Sequence, residues 1–212
     1  MPKMEKRTFK LEASSAKEGK LRGHAAVYNE WSPMMQGFRE RIADGAFNRA
    51  IAEKQDVRAL WNHNSDLVLG RTTNGTLELK SDEKGLSVDI TPPDTTWGKD
   101  ARTSIERGDV DQMSFQFRCK KDEWEYDEET DIVSRTLVDV DLFDVSPTTF
   151  PAYEGTGIDA RGEGEMPQSI IDKIAECRSA KNEAEAGAEV EWEETQECYD
   201  LRMKQLDLLS KQ

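Results

Sequence analysis

Three residue types in this chain can together perform nucleophilic catalysis: a strand serine, a histidine upstream of it and a run of aspartates downstream. The serine is Ser114, within the stretch Asp109–Cys119. At period two, Met113, Phe115, Phe117 and Cys119 share one face, while Ser114, Gln116 and Arg118 share the other. That is the pattern of a half-buried strand with its serine off the apolar layer. Such a serine is usually a small surface residue, and it needs a base to become a nucleophile. His63 sits where a strand runs out into the polar cluster Asn62-His63-Asn64-Ser65-Asp66. An ordinary imidazole, titrating near about pH 6.5, can take a proton at neutrality. His24, flanked by Gly23 and Ala25 within a strand, reads as structural. Alternation puts Asp139 and Asp141 with Phe143 and Val145 on one face, and Asp144 with Val138, Val140 and Leu142 on the other. The face argument therefore prefers Asp139 or Asp141 over Asp144 as the carboxylate that orients a histidine, and a buried Asp144 would need partners of its own. Protection of a sheet edge is the bland use of exposed strand aspartates. Cys119 is a rival nucleophile by type, but it lies on the apolar face, where cysteines are inert.

The elements that must position these groups follow from periodicity and punctuation. Strands are expected from Thr8, over Leu21–Tyr28 and over Gly37–Ile42. A helix begins at Asp44 as N-cap, with Phe47, Ala50 and Ile51 at helical spacing, and ends near Gln55. Val57–His63 and Leu67–Thr72 read as strands, and Thr76–Lys80 and Leu86–Ile90 as a hairpin stopped by Pro92-Pro93. Trp97, Ala101 and Ile105 mark a helix from about Thr95 to Arg107, with Gly108 beyond its end. The Ser114 strand then returns, through an acidic turn, as Ile132–Val145, and Ser146–Tyr153 reads as a loop held by two prolines.

Composition bounds the function. A length of 212 residues fits one domain with an appendage. A net charge of −14 with no basic stripe argues against nucleic-acid binding. Met1–Lys10 is charged, so no secretory signal is expected, and no apolar run approaches the ~18 residues of a membrane helix. Cys119, Cys177 and Cys198 are widely spaced and odd in number, which indicates neither a disulfide framework nor a zinc site. No cofactor or metal motif occurs, and the GxSxG elbow of common esterases is missing. After Gly157 the composition shifts. We expect a main domain over residues 1–160, a linker over 161–168 and an acidic, helical or partly disordered tail over 169–212. Within the tail, Ile170, Ile171, Ile174 and Cys177 mark a short amphipathic helix.

Four further groupings carry a resemblance. They are Gly23–Tyr28; Ile42–Phe47; Leu60–Asn64 with Leu69-Gly70-Arg71; and Met113–Phe117 with the closing Asp144–Tyr153. In this order and spacing, over roughly residues 8–158, they resemble the prohead maturation serine proteases of tailed bacteriophages, relatives in fold of the herpesvirus assemblins. The resemblance implies an α+β, mostly β fold: an assemblin-like closed or partly closed antiparallel β-barrel with a few surrounding helices. It implies a serine endopeptidase that cleaves scaffold protein or the scaffolding segments of the capsid protein, and itself, inside the prohead in the host cytoplasm. His63 would be the general base and Ser114 the nucleophile. Asp139 would stand where assemblins carry a second histidine, with Asp141 and Asp144 as alternatives. Oxyanion donors would come from the loop Ser146–Thr149, at Thr148 and Thr149, because Pro147 has no N–H. The implied partners are capsid or scaffold protein and a second copy of the chain, with no nucleic acid, membrane, metal or cofactor. The alternative is a non-catalytic assembly or scaffolding protein on the same fold.

Overall fold

The computed structural model describes residues 4–10, 14–15, 19–35, 37–150 and 166–180. In chain order the elements are β1 (Glu5–Lys10), β2 (Ser14–Ser15), β3 (Leu21–Val27), β4 (Phe38–Ile42), α1 (Asn48–Ala52), β5 (Arg58–Trp61), β6 (Asn64–Arg71), β7 (Leu77–Ser81), β8 (Gly85–Ile90), α2 (Thr96–Glu106), β9 (Gln112–Asp127) and β10 (Ile132–Thr148). A single 3₁₀ turn, Thr72–Asn74, joins β6 to β7. The strands hydrogen-bond as two sheets. The larger runs β1-β9-β10-β5-β6 with β4 also on β10; the smaller runs β2-β3-β8-β7.

β10 organises the larger sheet. One edge of this long strand is taken by β9, antiparallel. The other edge is shared: β4 pairs with Val133–Leu137 and β5 with Asp144 and Val145, both parallel. A mostly β, α+β architecture was expected, and that much holds. Of the expected closed or partly closed antiparallel barrel, the described residues show two separately hydrogen-bonded sheets, with two of the joins to β10 parallel.

The core is the apolar face of β9 packed against the smaller sheet and the helices. Met113, Phe115 and Phe117 are all buried, as alternation requires. Phe47 meets Phe115 edge-on with centroids 5.5 Å apart and stacks with Tyr28 at 6.0 Å. α2 buries Gly98, Ala101 and Ile105 along one stripe and is capped by Thr95, whose hydroxyl accepts from the Gly98 N–H. Gly108 follows at φ 78°, the left-handed stop expected of it. α1 departs from expectation. Residues 44–47 form a turn and the helix spans only Asn48–Ala52, so Asp44 is not its N-cap. The Asp44 carboxylate instead accepts from Asn29 Nδ2 at 2.9 Å.

Contacts group the chain into two units, one of residues 1–127 and 132–165, the other of 128–131 and 166–212. Within the second unit a helix covers 168–180, and Arg178 pairs with Asp131 at 3.0 Å. The expected linker falls largely, and the acidic stretch beyond 180 wholly, outside the described residues.

Candidate active site

β5 and β6 are joined by a two-residue hairpin: Trp61 pairs with Asn64, leaving Asn62 and His63 between them. Both have positive φ, 51° and 58°, as tight hairpins with a matching twist require. Asparagine tolerates that region; histidine adopts it at a cost and is a conspicuous choice where glycine is usual. The hairpin is clasped to the end of β10. The Asn62 N–H donates to Pro147 O at 3.0 Å, its Nδ2 donates to Thr149 Oγ1 at 3.2 Å, and its Oδ1 accepts from the Thr149 N–H at 2.9 Å. This clasp carries His63 over β10.

There His63 Nδ1 lies 2.7 Å from Asp144 Oδ1, with the two side chains only 11% and 4% exposed. A carboxylate accepts, so Nδ1 carries the proton and Nε2 keeps its lone pair for another proton. Ser146 Oγ donates to the same Oδ1 at 2.7 Å. Ser146 stands directly opposite Ser114 in the β9–β10 register, and Asp144 opposite Gln116. Residues so paired share a face and bring their Cβ atoms to about 4.5–5.5 Å. Ser114, Gln116, Asp144 and Ser146 thus form one polar square on the face away from the phenylalanines, with Ser114, Asp144 and Ser146 buried, Gln116 half-buried and His63 against it. Among the described residues no Ser114–His63 hydrogen bond is present; in ligand-free sites such bonds are often long and tighten only with substrate.

Asp139 and Asp141 lie elsewhere. Arg49 Nε donates to Asp139 at 2.8 Å and Arg49 Nη2 to Asp141 at 2.8 Å, with Gln55 Nε2 also on Asp141 at 2.9 Å. Burial alone would raise the Asp141 carboxyl, but the hydrogen bonds from Arg49 and Gln55 outweigh it and hold it below the ordinary carboxylate range. Both aspartates anchor α1 to β10, so the expectation of Asp139 as partner of His63 gives way to Asp144. The cause is a β-bulge. Leu142 pairs with Phe117, but two residues later Asp144 pairs with Gln116, only one step back along β9. Phe143 is the extra residue, and beyond it every side chain changes face. Uninterrupted alternation had put Asp144 in the apolar layer.

The expected oxyanion loop also differs. Residues 146–148 continue β10, with Pro147 opposite Met113 and Thr148 opposite Gln112. The Thr149 N–H is engaged by Asn62. The Thr148 hydroxyl, by contrast, is buried without a hydrogen-bond partner among the described residues, and alternation puts it on the same side of β10 as Ser146. Sequence reasoning gave no role to Gln116 or Asn62, and took Ser146 only as the start of the oxyanion loop. Gln116 alone carried a signal, sharing the outward parity of Ser114.

Cys119 packs against the core, and burial pushes its thiol up to about 12. Cys119→Ser should therefore leave serine labelling by a fluorophosphonate within about twofold of the parent, since a thiol held protonated contributes no nucleophile. A loss of labelling in a folded variant would return Cys119 to the site. Among the described residues no cluster of metal-binding side chains occurs.

Against known proteins, the model of the caudovirus prohead serine protease family matches residues 7–168. Among solved structures, the capsid assembly protease of bacteriophage T4 is similar at a TM-score of 0.44 and 9% identity, covering 71% of this chain and 99% of that one. Comparison with curated proteins gives no match.

Proposed function

The chain belongs to the caudovirus prohead serine protease family, and from that premise we propose that Ser114, His63 and Asp144 are its catalytic triad. It is a serine endopeptidase. The observation that carries the assignment is the 2.7 Å hydrogen bond between His63 and a buried Asp144 whose neighbour in the sheet, Ser146, faces Ser114. His63 Nε2 takes the Ser114 proton as Oγ attacks the scissile carbonyl, then returns it to the leaving amine. Asp144 fixes the imidazole tautomer and stabilises the charged ring. Ser146 is of the right type to be the nucleophile, but its hydroxyl is already donated to Asp144, which favours Ser114.

The oxyanion needs a donor that is not already engaged. The Thr148 hydroxyl, unpartnered among the described residues, supports that role better than the Thr149 N–H. The substrates we infer are scaffold protein or scaffolding segments of the capsid protein, together with the chain itself, cut inside the assembling prohead in the host cytoplasm. Residues 1–160 would be the protease domain and 169–212 an arm that brings it to scaffold or to a second copy.

Mass spectrometry of capsid or scaffold protein co-expressed with the protease tests this reading. Cleavage should occur with the parent and vanish with Ser114→Ala and His63→Gly. Glycine suits the positive φ at position 63, so the second variant loses the imidazole without adding backbone strain. Cleavage that survives Ser114→Ala would overturn the assignment.

A further inference from the structure

Gln116 stands between two charges. Its register partner on β1 is Lys6, and its register partner on β10 is Asp144. A primary amide donates at one end and accepts at the other, so only one orientation suits both neighbours. With Nε2 toward Asp144, it donates to Oδ2 at 2.6 Å, and Oε1 then accepts from Lys6 Nζ at 3.0 Å. Turned over, the amide would set oxygen against carboxylate and NH₂ against ammonium.

We propose that Lys6 and Gln116 are positioning residues for the reaction: Lys6 fixes the polarity of the Gln116 amide, and Gln116 fixes Asp144. The proposal rests on the triad reading above. Its physical basis is the softness of an aspartate. The terminal torsion of the side chain is broad, so a carboxylate held only at Oδ1 swivels. His63 and Ser146 both bind Oδ1. Gln116 is what holds Oδ2, and with both oxygens pinned the lone pair on Oδ1 stays aimed at His63 Nδ1. That direction in turn sets where Nε2 points, and small misplacements of a reacting group cost large factors in rate. Asp144 is almost wholly buried, so water is poorly placed to replace a missing donor. Three residues, Gln116, Asp144 and His63, stand between Lys6 and the nucleophile, which is why a lysine in the first strand reads from sequence as a solvated charge.

The test uses the full chain and a fluorophosphonate titrated to saturation, which separates the limiting labelling rate, kinact, from the concentration dependence, KI. In that reaction Ser114 Oγ bonds to phosphorus, fluoride leaves and the hydroxyl proton passes to His63. Gln116→Leu and Lys6→Met should each lower kinact by about 10-fold with KI within about twofold, because orientation rather than probe binding is disturbed. Gln116→Glu keeps the shape and gains an ion pair with Lys6 but has no donor for Asp144, and it should fall as far as Gln116→Leu. Lys6→Arg restores a donor to Oε1 and should label at close to the parent rate. The double variant Lys6→Met with Gln116→Leu should be no slower than Gln116→Leu alone, since both act through one contact. Unchanged kinact in Gln116→Leu, additive losses in the double variant, or a loss confined to KI would overturn the proposal. If Ser114→Ala or His63→Gly also labels like the parent, the triad reading has failed; if those two are silent while Gln116→Leu is normal, only the positioning role has.

Discussion

Asp144→Asn is expected to reduce proteolysis by about 10⁴-fold, the loss seen when a triad carboxylate becomes an amide, whereas Asp139→Asn should stay within about threefold. The contrast follows from what each carboxylate touches. Asp144 accepts from three donors: His63 and Ser146 on Oδ1, and Gln116 on Oδ2. An asparagine has a single accepting end. Whichever way its amide turns, its NH₂ opposes one of those donors, and if it opposes His63 the ring is driven into the tautomer that protonates Nε2. Asp139 shares Arg49 with Asp141 and Glu53 at the sheet surface, and losing one partly exposed member of that group shifts stability by about 1 kcal/mol or less. Co-expression with capsid or scaffold protein, read by intact mass, distinguishes the two. A silent Asp139→Asn beside an active Asp144→Asn would exchange their roles.

How much of this was legible depends on whether a local rule was left undisturbed. The Ser114 strand was, because β9 keeps strict alternation from Met113 through Phe117 and its apolar face fills the core. The α2 helix and the β7–β8 hairpin were legible for the same reason: period and punctuation agree with the final packing. The aspartates were not. A bulge is a decision taken by two strands together, and nothing in the local pattern of Val138–Val145 announces the extra residue at Phe143. Once the parity flips, the residue that looked misplaced in the apolar layer becomes the best placed of the three.

His63 was legible as a strand end but not as the second residue of a two-residue hairpin. Asn-Gly is the strong signal for that turn, and a histidine in the glycine position hides it. The hiding is itself informative: a left-handed histidine persists where the surrounding contacts hold it, here the Asn62 clasp and Asp144. The short β4 strand was anticipated, but its interior glutamate was not recognised as buried, although alternation within Phe38–Ile42 puts Glu40 on the face of two core residues. No single strand explains that glutamate. Its partners, Arg7 and Arg135, come from two others, β1 and β10.

Glu40→Ala should destabilise the protein by about 3–5 kcal/mol, lowering the melting temperature by on the order of 10 °C, while Glu40→Met combined with Arg135→Met recovers most of the loss. Glu40 accepts from Arg7 through Nε and, at 2.8 Å, through Nη2, and from Arg135 Nη1 at 3.0 Å. Glu5 also binds both arginines, at 3.0 Å from Arg7 and 2.6 Å from Arg135, and Asp122 completes the set at 2.7 Å from Arg135 Nε. Glu5, Arg7, Glu40 and Arg135 are all 5% exposed or less. Charges so buried are tolerated only because each finds opposite charge and directed hydrogen bonds. Deleting one carboxylate leaves two guanidinium groups competing for what remains, out of reach of water. Removing Glu40 and Arg135 together leaves Arg7 with Glu5, a matched pair, and puts apolar volume where charge had been desolvated. The network joins β1, β4, β9 and β10, and β1 is also the strand that presents Lys6 to Gln116. A folded but destabilised Glu40→Ala should therefore lose labelling at temperatures well below its melting point as β1 loosens, and the double variant should regain it. Thermal melts followed by circular dichroism, with fluorophosphonate labelling measured along the same temperature ramp, check both statements. Equal melting temperatures for the parent and Glu40→Ala would show that the network contributes nothing to holding β1 in the sheet.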